Sequence, residues 1–376
     1  MGMGAVGPAN HKTRFERKGF MTMINWKDTL KESQIDWLLE EENPSIRYFT
    51  LRDILDRREH DSQVTVAKHA IADSSVVKRI LQKQNPEGHW EEPASPYLPK
   101  YKSSYWQVMI LGQLGMDQTD ARIRQACEYI FQLQLAEGGF SSYTSERGLK
   151  EYEVQRRKGK KLPSPREYAA SLVHEHQYSC LTGNVAATLI RIGYGQDPRV
   201  RKALEWLVKI QNDDGGWLCP YWRAHVKDRH GCFYGTICPL EAFSLVKKEC
   251  LTKEMKQSVE NGAEFLLMHR LFKADHHDYR VINRNWLTLG FPFFYSYNIL
   301  RGLDVLTRLG YIEDERLNDA IEVLLQKRQK DGKWILESSP TGRMQVNIEA
   351  KGRPSKWITL ITLRVLKRLD AAKNPK

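Results

Sequence analysis

The chain has 376 residues, with 58 Lys plus Arg against 46 Asp plus Glu and a net charge of +12. Hydrophobic residues make up 41% and charged residues 28%, enough to bury a core and too evenly mixed for a disordered charged tail. The basic excess admits an anionic partner (nucleic acid, a membrane surface or a phosphorylated small molecule) without choosing among them.

Residues 1–22 carry charges and glycines where an export signal needs an apolar stretch, and they read as a disordered leader. The next segment, residues 23–73, reads as a helical cap: Trp26–Glu41, Pro44–Arg57 and Val64–Ala72 have helical patterns that could also supply a sixth hairpin. From residue 74 to 372 one motif organises the chain. Gln84-Asn-Pro-Glu-Gly88-His-Trp90 returns as Gln134-Leu-Ala-Glu-Gly138-Gly-Phe140 and as Gln211-Asn-Asp-Asp-Gly215-Gly-Trp217. It returns shortened as Gln329-Lys-Asp-Gly332-Lys-Trp334, and a degenerate copy is expected after His269.

Each copy closes an amphipathic helix. Ile123, Ala126, Cys127 and Ile130 precede the second turn, Val200, Leu204 and Leu207 the third, and Leu317, Ile321 and Leu324 the last; spacings of three and four share a helix face. Glycine then ends the helix in the left-handed region. A second, more apolar helix follows each turn: Ser103–Gly115, Tyr178–Ile192, Thr236–Lys247, Phe293–Leu309 and Ser355–Leu369. Several of these carry small residues (Gly112, Gly183, Ala186, Ala187) suited to crowded packing. The chain is therefore expected to be all-α, with five outer–inner hairpins and little strand. The inner helices are apolar around most of their circumference, which favours closure into a barrel over an open solenoid. A polar insertion at 141–177 interrupts the second hairpin.

These repeated Gln-to-Trp turns resemble the QW repeats of the squalene and terpenoid cyclases and of the β subunits of protein prenyltransferases, over about residues 75–370. The stand-alone bacterial prenyltransferase/squalene-cyclase-like repeat proteins are the nearest group. The resemblance implies an α/α toroid around an apolar cavity suited to an isoprenoid, with a polyprenyl or triterpene-like substrate. Class II cyclases protonate an alkene with an Asp-x-Asp-Asp motif. This chain has none; Asp213-Asp214 lies in a repeat turn. Asp275-His-His-Asp278 is the only short candidate for a magnesium site. Prenyltransferases hold zinc with an Asp and a Cys two apart and a His on the next inner helix. The matching stretches here are Asp228-Arg-His-Gly-Cys232, with the spacing widened to four, and Phe293-Phe-Tyr295-Ser-Tyr297, where His is replaced.

Cys219, His225, Asp228, His230, Cys232 and Cys238 fall within twenty residues, and thiolate, imidazole and carboxylate are suitable zinc ligands. Zinc is accordingly the candidate cofactor, with His225, Asp228, His230 and Cys232 as its ligands, against a reading of these groups as cavity-lining or structural. Asp228, His230 and Cys232 are the candidate acid/base or metal groups, with Glu241 on the following helix as a buried partner. His174 and His176 read as solvated residues at a helix entry, although His176 or Tyr178 could handle protons at a cavity opening. Aromatic residues recur at the starts of inner helices: Tyr105, Trp106, Tyr178, Phe233, Tyr234, Phe294, Tyr295 and Tyr297. Their π-faces are candidate substrate contacts for a carbocation, or ordinary core. The basic insertion over 147–166 is a candidate site of peripheral membrane contact. Nucleic acid is not expected, because no binding module accompanies the charge.

The rival expectation is a non-catalytic isoprenoid- or lipid-binding toroid that has lost the reactive groups. No run reaches the roughly 18 apolar residues of a membrane-spanning helix. Six cysteines are too few for a disulfide framework in this length, which points to reduced thiols in the cytoplasm.

Overall fold

The computed structural model describes Trp26, residues 30–218, Lys227 and residues 229–371. The expected leader and the candidate ligands His225 and Asp228, with Cys219, lie outside the described residues. Fifteen α-helices are described: α1 (Glu32–Leu38), α2 (Pro44–Phe49, continued by a π turn, Thr50–Ile54), α3 (Ser62–Asp73), α4 (Ser75–Leu81), α5 (Ser104–Gln113), α6 (Ala121–Gln132), α7 (Ser145–Arg157), α8 (Pro165–Glu175), α9 (Ser179–Leu189), α10 (Pro198–Lys209), α11 (Phe233–Leu245), α12 (Lys253–Met268), α13 (Ile299–Leu309), α14 (Asn318–Gln326) and α15 (Lys356–Ala371). Among the described residues, extended pairing between named strands is confined to one two-residue ladder, Trp334–Ile335 against Pro354–Ser355.

Helices α2, α5, α9, α11, α13 and α15 form the inner ring; α1, α4, α6, α10, α12 and α14 lie outside them. Burial separates the two sets. Every residue of α5 is buried, whereas α10 buries one stripe: Val200, Ala203, Leu204, Trp206 and Leu207. Adjacent inner helices meet backbone to backbone at Gly183 of α9. A Cβ there would stand 2.5 Å from the Cys238 carbonyl carbon and the Pro239 nitrogen of α11.

The repeat turns work as clips. In three of them the glutamine amide donates both to its own turn and to the next outer helix: Gln84 to the carbonyls of Gly88 (3.3 Å) and Arg122 (2.9 Å), Gln134 to Gly138 (2.9 Å) and Arg199 (2.8 Å), Gln211 to Gly215 (2.7 Å) and Ser258 (2.9 Å). The indoles of Trp90, Trp217 and Trp334 fold back onto Ile80, Leu207 and Leu324, each Nε1 donating to a carbonyl ten residues earlier at 2.7–2.8 Å. The aromatic residue's own N–H reaches a hydroxyl on the following inner helix: Ser104 for Trp90, Thr182 for Phe140, Thr236 for Trp217 and Thr359 for Trp334, at 3.0–3.2 Å. Gly215 shows why the turn needs glycine. Its φ is +82°, and a Cβ would lie 2.5 Å from the Asn261 carbonyl oxygen.

A reversed tie closes the ring: here the outer helix supplies the glutamine, and Gln34 of α1 donates to the Gly332 carbonyl at 2.7 Å, so the last turn holds the first helix. Lys356 of α15 reaches the Trp37 carbonyl (2.6 Å) and Glu40 (2.5 Å), while Lys68 of α3 reaches the Gly115 carbonyl beyond α5 (2.5 Å) and Asp117 (2.7 Å). Helices α1 and α2 thus make a sixth pair, and the architecture is an all-α toroid.

Two local differences from the sequence reading have physical causes. The insertion at 141–177 is a hairpin of α7 and α8, with Gly148 close against Ala169; α8 has a capping box between Ser164 and Glu167. Helix α13 begins at Ile299, not at Phe293. Asn298 caps it, its Oδ1 accepting from the Arg301 N–H at 2.9 Å, and residues 291–297 run instead through the hole of the toroid.

Candidate functional site

Residues 291–294 divide the hole into two chambers. Gln113 of α5 fixes this plug by pairing with the Phe293 backbone in both directions: its Oε1 accepts from the N–H (2.8 Å) and its Nε2 donates to the carbonyl (2.7 Å). Arg301 holds the other end, donating to the carbonyls of Phe294 (2.5 Å) and Ser296 (2.9 Å).

The chamber at the amino ends of the inner helices has a volume of about 360 Å³, and its walls include Tyr101, Tyr234, Trp286, Phe294, Tyr295, Tyr297 and Arg343. The Tyr101 and Tyr295 hydroxyls meet at 3.1 Å, and Trp286 donates to the Tyr234 hydroxyl at 3.2 Å. Burial, then the neighbouring Tyr101, push the Tyr295 hydroxyl well above its ordinary pKa, so it stays protonated. Of the candidate substrate contacts, Tyr234, Phe294, Tyr295 and Tyr297 line this chamber. The other four lie outside its wall. Tyr105 is buried with its hydroxyl on the Ser141 carbonyl (3.2 Å), and Trp106 donates to the Tyr97 carbonyl (2.7 Å). Phe233 packs 4.2 Å from Trp286, and Tyr178 caps α9 beside His176.

His230 and Cys232 sit at the entry to α11. The His230 Nδ1 is 2.6 Å from the Gly231 carbonyl and 3.8 Å from Asp214. The Cys232 sulfur accepts from the Gly235 N–H at 3.1 Å and caps the helix. Asp214 serves the turn, its oxygens accepting from the N–H groups of Gly216 (3.0 Å) and Gly231 (2.7 Å). Among the described residues, no three His, Cys, Asp or Glu side chains converge as a metal site. Among the described residues, Cys127, Cys180, Cys232, Cys238 and Cys250 form no disulfide with one another.

Glu241 belongs to the second, larger chamber, about 640 Å³, at the carboxyl ends of the inner helices. Its depth is aromatic and apolar: Phe49, Phe291, Phe293, Trp357 and Ile361, with Phe291 and Trp357 stacked at 4.4 Å. Its rim is ionic. Glu241 lies between Arg301 (Nε to Oε2, 2.8 Å) and Arg191, and Asn184 accepts from Arg301 at 2.8 Å. Burial raises the Glu241 carboxyl, but Arg301, Arg191 and Arg308 outweigh it and hold the group down at about 2. Asp304, between Arg308 (2.5 Å) and Arg368 (2.8 Å), is likewise buried and held below the carboxylate range by those two arginines and Arg364. Asp53 lies between Arg52 (2.6 Å) and Arg364 (2.5 Å); against its burial, these two hold it low as well. All three are therefore ionised acceptors.

Sequence reasoning looked to the starts of the inner helices and missed this rim, Arg52, Asp53, Arg191, Asp304, Arg308, Arg364 and Arg368, and Arg301 behind it. A signal was available. Arg301 and Asp304 stand among Ile299, Leu300, Leu303, Val305 and Leu306, and Arg364 between Leu363 and Val365, and a charge there needs a partner or a cavity.

No family model matches the chain. Lanosterol synthase erg7A from Aspergillus fumigatus is 22% identical over 240 residues, which is 58% of this chain and 28% of the synthase. The similarity is to a terpenoid cyclase. The chain spans less than a third of that relative's length. Among solved structures, a variant of the type II terpene cyclase MstE from Scytonema, in complex with the product merosterolic acid A, superposes with a TM-score of 0.45 at 15% identity, covering 96% of this chain and 99% of that one. A protein from Actinoplanes gives 0.43 at 13% identity, covering 94% and 98%. No helix among the described residues is long and apolar enough to cross a membrane.

Proposed function

We propose that this terpenoid-cyclase-like toroid binds an isoprenoid-type ligand in its larger chamber, with the apolar body over Phe291, Phe293 and Trp357. The observation that carries the reading is the aromatic and aliphatic patch of Phe49, Phe291, Phe293, Trp357 and Ile361 that lines one part of a chamber of about 640 Å³, the rest of whose wall is ionic. Of the two expectations weighed on sequence, the chamber's chemistry favours binding without cyclisation. Alkene protonation needs a carboxylic acid kept neutral, whereas Glu241, Asp304 and Asp53 are all held ionised by arginine. Zinc chemistry at His225, Asp228, His230 and Cys232 remains part of the enzymatic alternative. The test is titration of the protein with squalene and geranylgeraniol, following Trp fluorescence and product formation. Saturable quenching that Trp357→Phe alters, without consumption of ligand, is the expected result. Turnover that disappears in Asp228→Ala overturns it in favour of the enzyme.

A second reading concerns the α7–α8 hairpin. Leu149 and Val154 are 43% and 44% exposed on a helix that carries Arg147, Lys150, Arg156 and Arg157 against Glu146, Glu151 and Glu153, and Lys158, Lys160 and Lys161 follow it. Apolar tips among cations suit peripheral contact with an anionic membrane, at the opposite face of the toroid from the arginine rim. Replacing Arg156, Arg157, Lys158, Lys160 and Lys161 by Gln should abolish association with phosphatidylserine vesicles at low salt; unchanged association refutes it.

A further inference from the structure

The rim of the larger chamber has an excess of positive charge that its own carboxylates do not cover. Arg52, Lys68, Arg191, Arg308, Arg364, Lys367 and Arg368 line it, against Asp53, Asp56, Glu241 and Asp304. Glu241 is in addition shared with Arg301, which lies behind the wall. Two of the cations are committed at helix ends: Lys68 binds the Gly115 carbonyl and pairs with Asp117, and Lys367 binds the carbonyls of Asp53 and Ile54 and pairs with Asp56. Glu59 stands 3.8 Å from Arg52, and the excess that is left lies among the arginines. The partial negative charge at the carboxyl ends of six inner helices explains why cations collect there. It does not explain Arg364.

Arg364 projects from the middle of α15. Its side chain is 14% exposed, its Nη2 pairs with Asp53 at 2.5 Å, and its buried Nε has no hydrogen-bond partner. Buried donors are nearly always satisfied, and a guanidinium that lacks an acceptor loses the desolvation free energy of that N–H. The neighbours do not supply one. Asp304 is taken by Arg308 and Arg368, and the Phe49 ring lies under the guanidinium at 4.7 Å.

We infer that the chamber rim is an oxyanion subsite, in which Arg364, with Arg52 and Arg368 beside it, takes a phosphate- or diphosphate-type group. Arginine forks match phosphate oxygens in two-point contacts, and a multiply charged anion fits an uncompensated cluster better than a single carboxylate. The group could arrive free or as the head of an ester whose body fills the aromatic depth. The subsite stands on the arginines alone and does not depend on the isoprenoid reading.

Calorimetric titration of the full chain with inorganic pyrophosphate, geranylgeranyl diphosphate and geranylgeraniol tests it. Pyrophosphate is expected to bind, with affinity falling as salt rises and about ten-fold or more weaker in Arg364→Gln. Arg368→Gln, measured in parallel with thermal melts, keeps the test valid if Arg364→Gln does not fold. Tighter binding of the prenyl diphosphate than of pyrophosphate assigns an ester head and supports both proposals. Equal binding of the two supports the subsite and refutes the isoprenoid body. If pyrophosphate and the diphosphate both fail to bind, or bind as well to folded Arg364→Gln and Arg368→Gln, the subsite is refuted, whatever geranylgeraniol does.

Discussion

Glu241→Leu should be the most informative single substitution for the core. It removes the counter-charge of Arg301, which is 1% exposed and so has no water to replace it. Arg301 keeps neutral acceptors in Asn184, Phe294 and Ser296, which lessens the loss without neutralising the charge. Breaking a buried pair by removing one partner costs about 3–5 kcal/mol, and the remaining acceptors point to the lower half, about 3–4 kcal/mol. For a domain of this size, at about 2 °C per kcal/mol, that corresponds to a melting shift of about 6–8 °C. The double variant Glu241→Leu/Arg301→Met removes both charges and should be more stable than the sum of the singles by about 2 kcal/mol. Differential scanning calorimetry on the four proteins of the cycle supplies the numbers. A single-variant loss below about 1 kcal/mol, or additivity within about 0.5 kcal/mol, refutes the account of Glu241 as the charge that holds Arg301 and, through it, the plug.

Other expectations follow from the same structure. Because Glu241 is held at about 2 against an ordinary 4.5, its contribution is complete above pH 4.5 and is lost as pH falls towards 2; melting temperature against pH should drop less across that window in Glu241→Leu than in the wild type. Gly215→Ala places a side chain at φ +82° and against the Asn261 carbonyl, and should lower stability by more than about 1 kcal/mol in urea unfolding. Trp217→Phe keeps an aromatic, as Phe140 does in its own turn, but loses the bond to Leu207, a loss of about 1–2 kcal/mol; no change in melting would count against the indole's role as a tie. Gln34→Ala should speed amide exchange in α1 well before it affects α9 and α11.

The toroid was legible in the sequence because one turn carries so many constraints. A glutamine that spans to the next helix, a glycine at positive φ and an aromatic folded onto its own helix recur together, and few other folds need all three. The helix boundaries were less legible where tertiary structure overrides local pattern. The aromatic run from Phe293 to Tyr297 looks like the start of an apolar helix, yet it threads the hole, and only Asn298 as a cap marks the true start. The insertion carried its own signal in Ser164-Pro-Arg-Glu167, a capping box with proline in the first turn. The candidate site divided differently. Aromatic recurrence found part of one chamber, while the ionic rim draws residues from the π turns after α2 and α9 and from α11, α13 and α15, and no sequence repeat connects those of one element with those of the next. Arg52, Arg191 and Arg368 meet only because the ring closes.

That closure changes how the molecule should come apart. An open helical array has terminal units with one neighbour, and it frays from them. Here the Gln34–Gly332 contact gives the first pair the same two neighbours as the rest, so there is no privileged end at which to begin. Unfolding must open a junction between two intact pairs, and each junction shares its inner helices with the central chambers. Opening the ring and losing the binding space should therefore be one event, with cooperativity closer to that of a single small domain than to a stack of six hairpins.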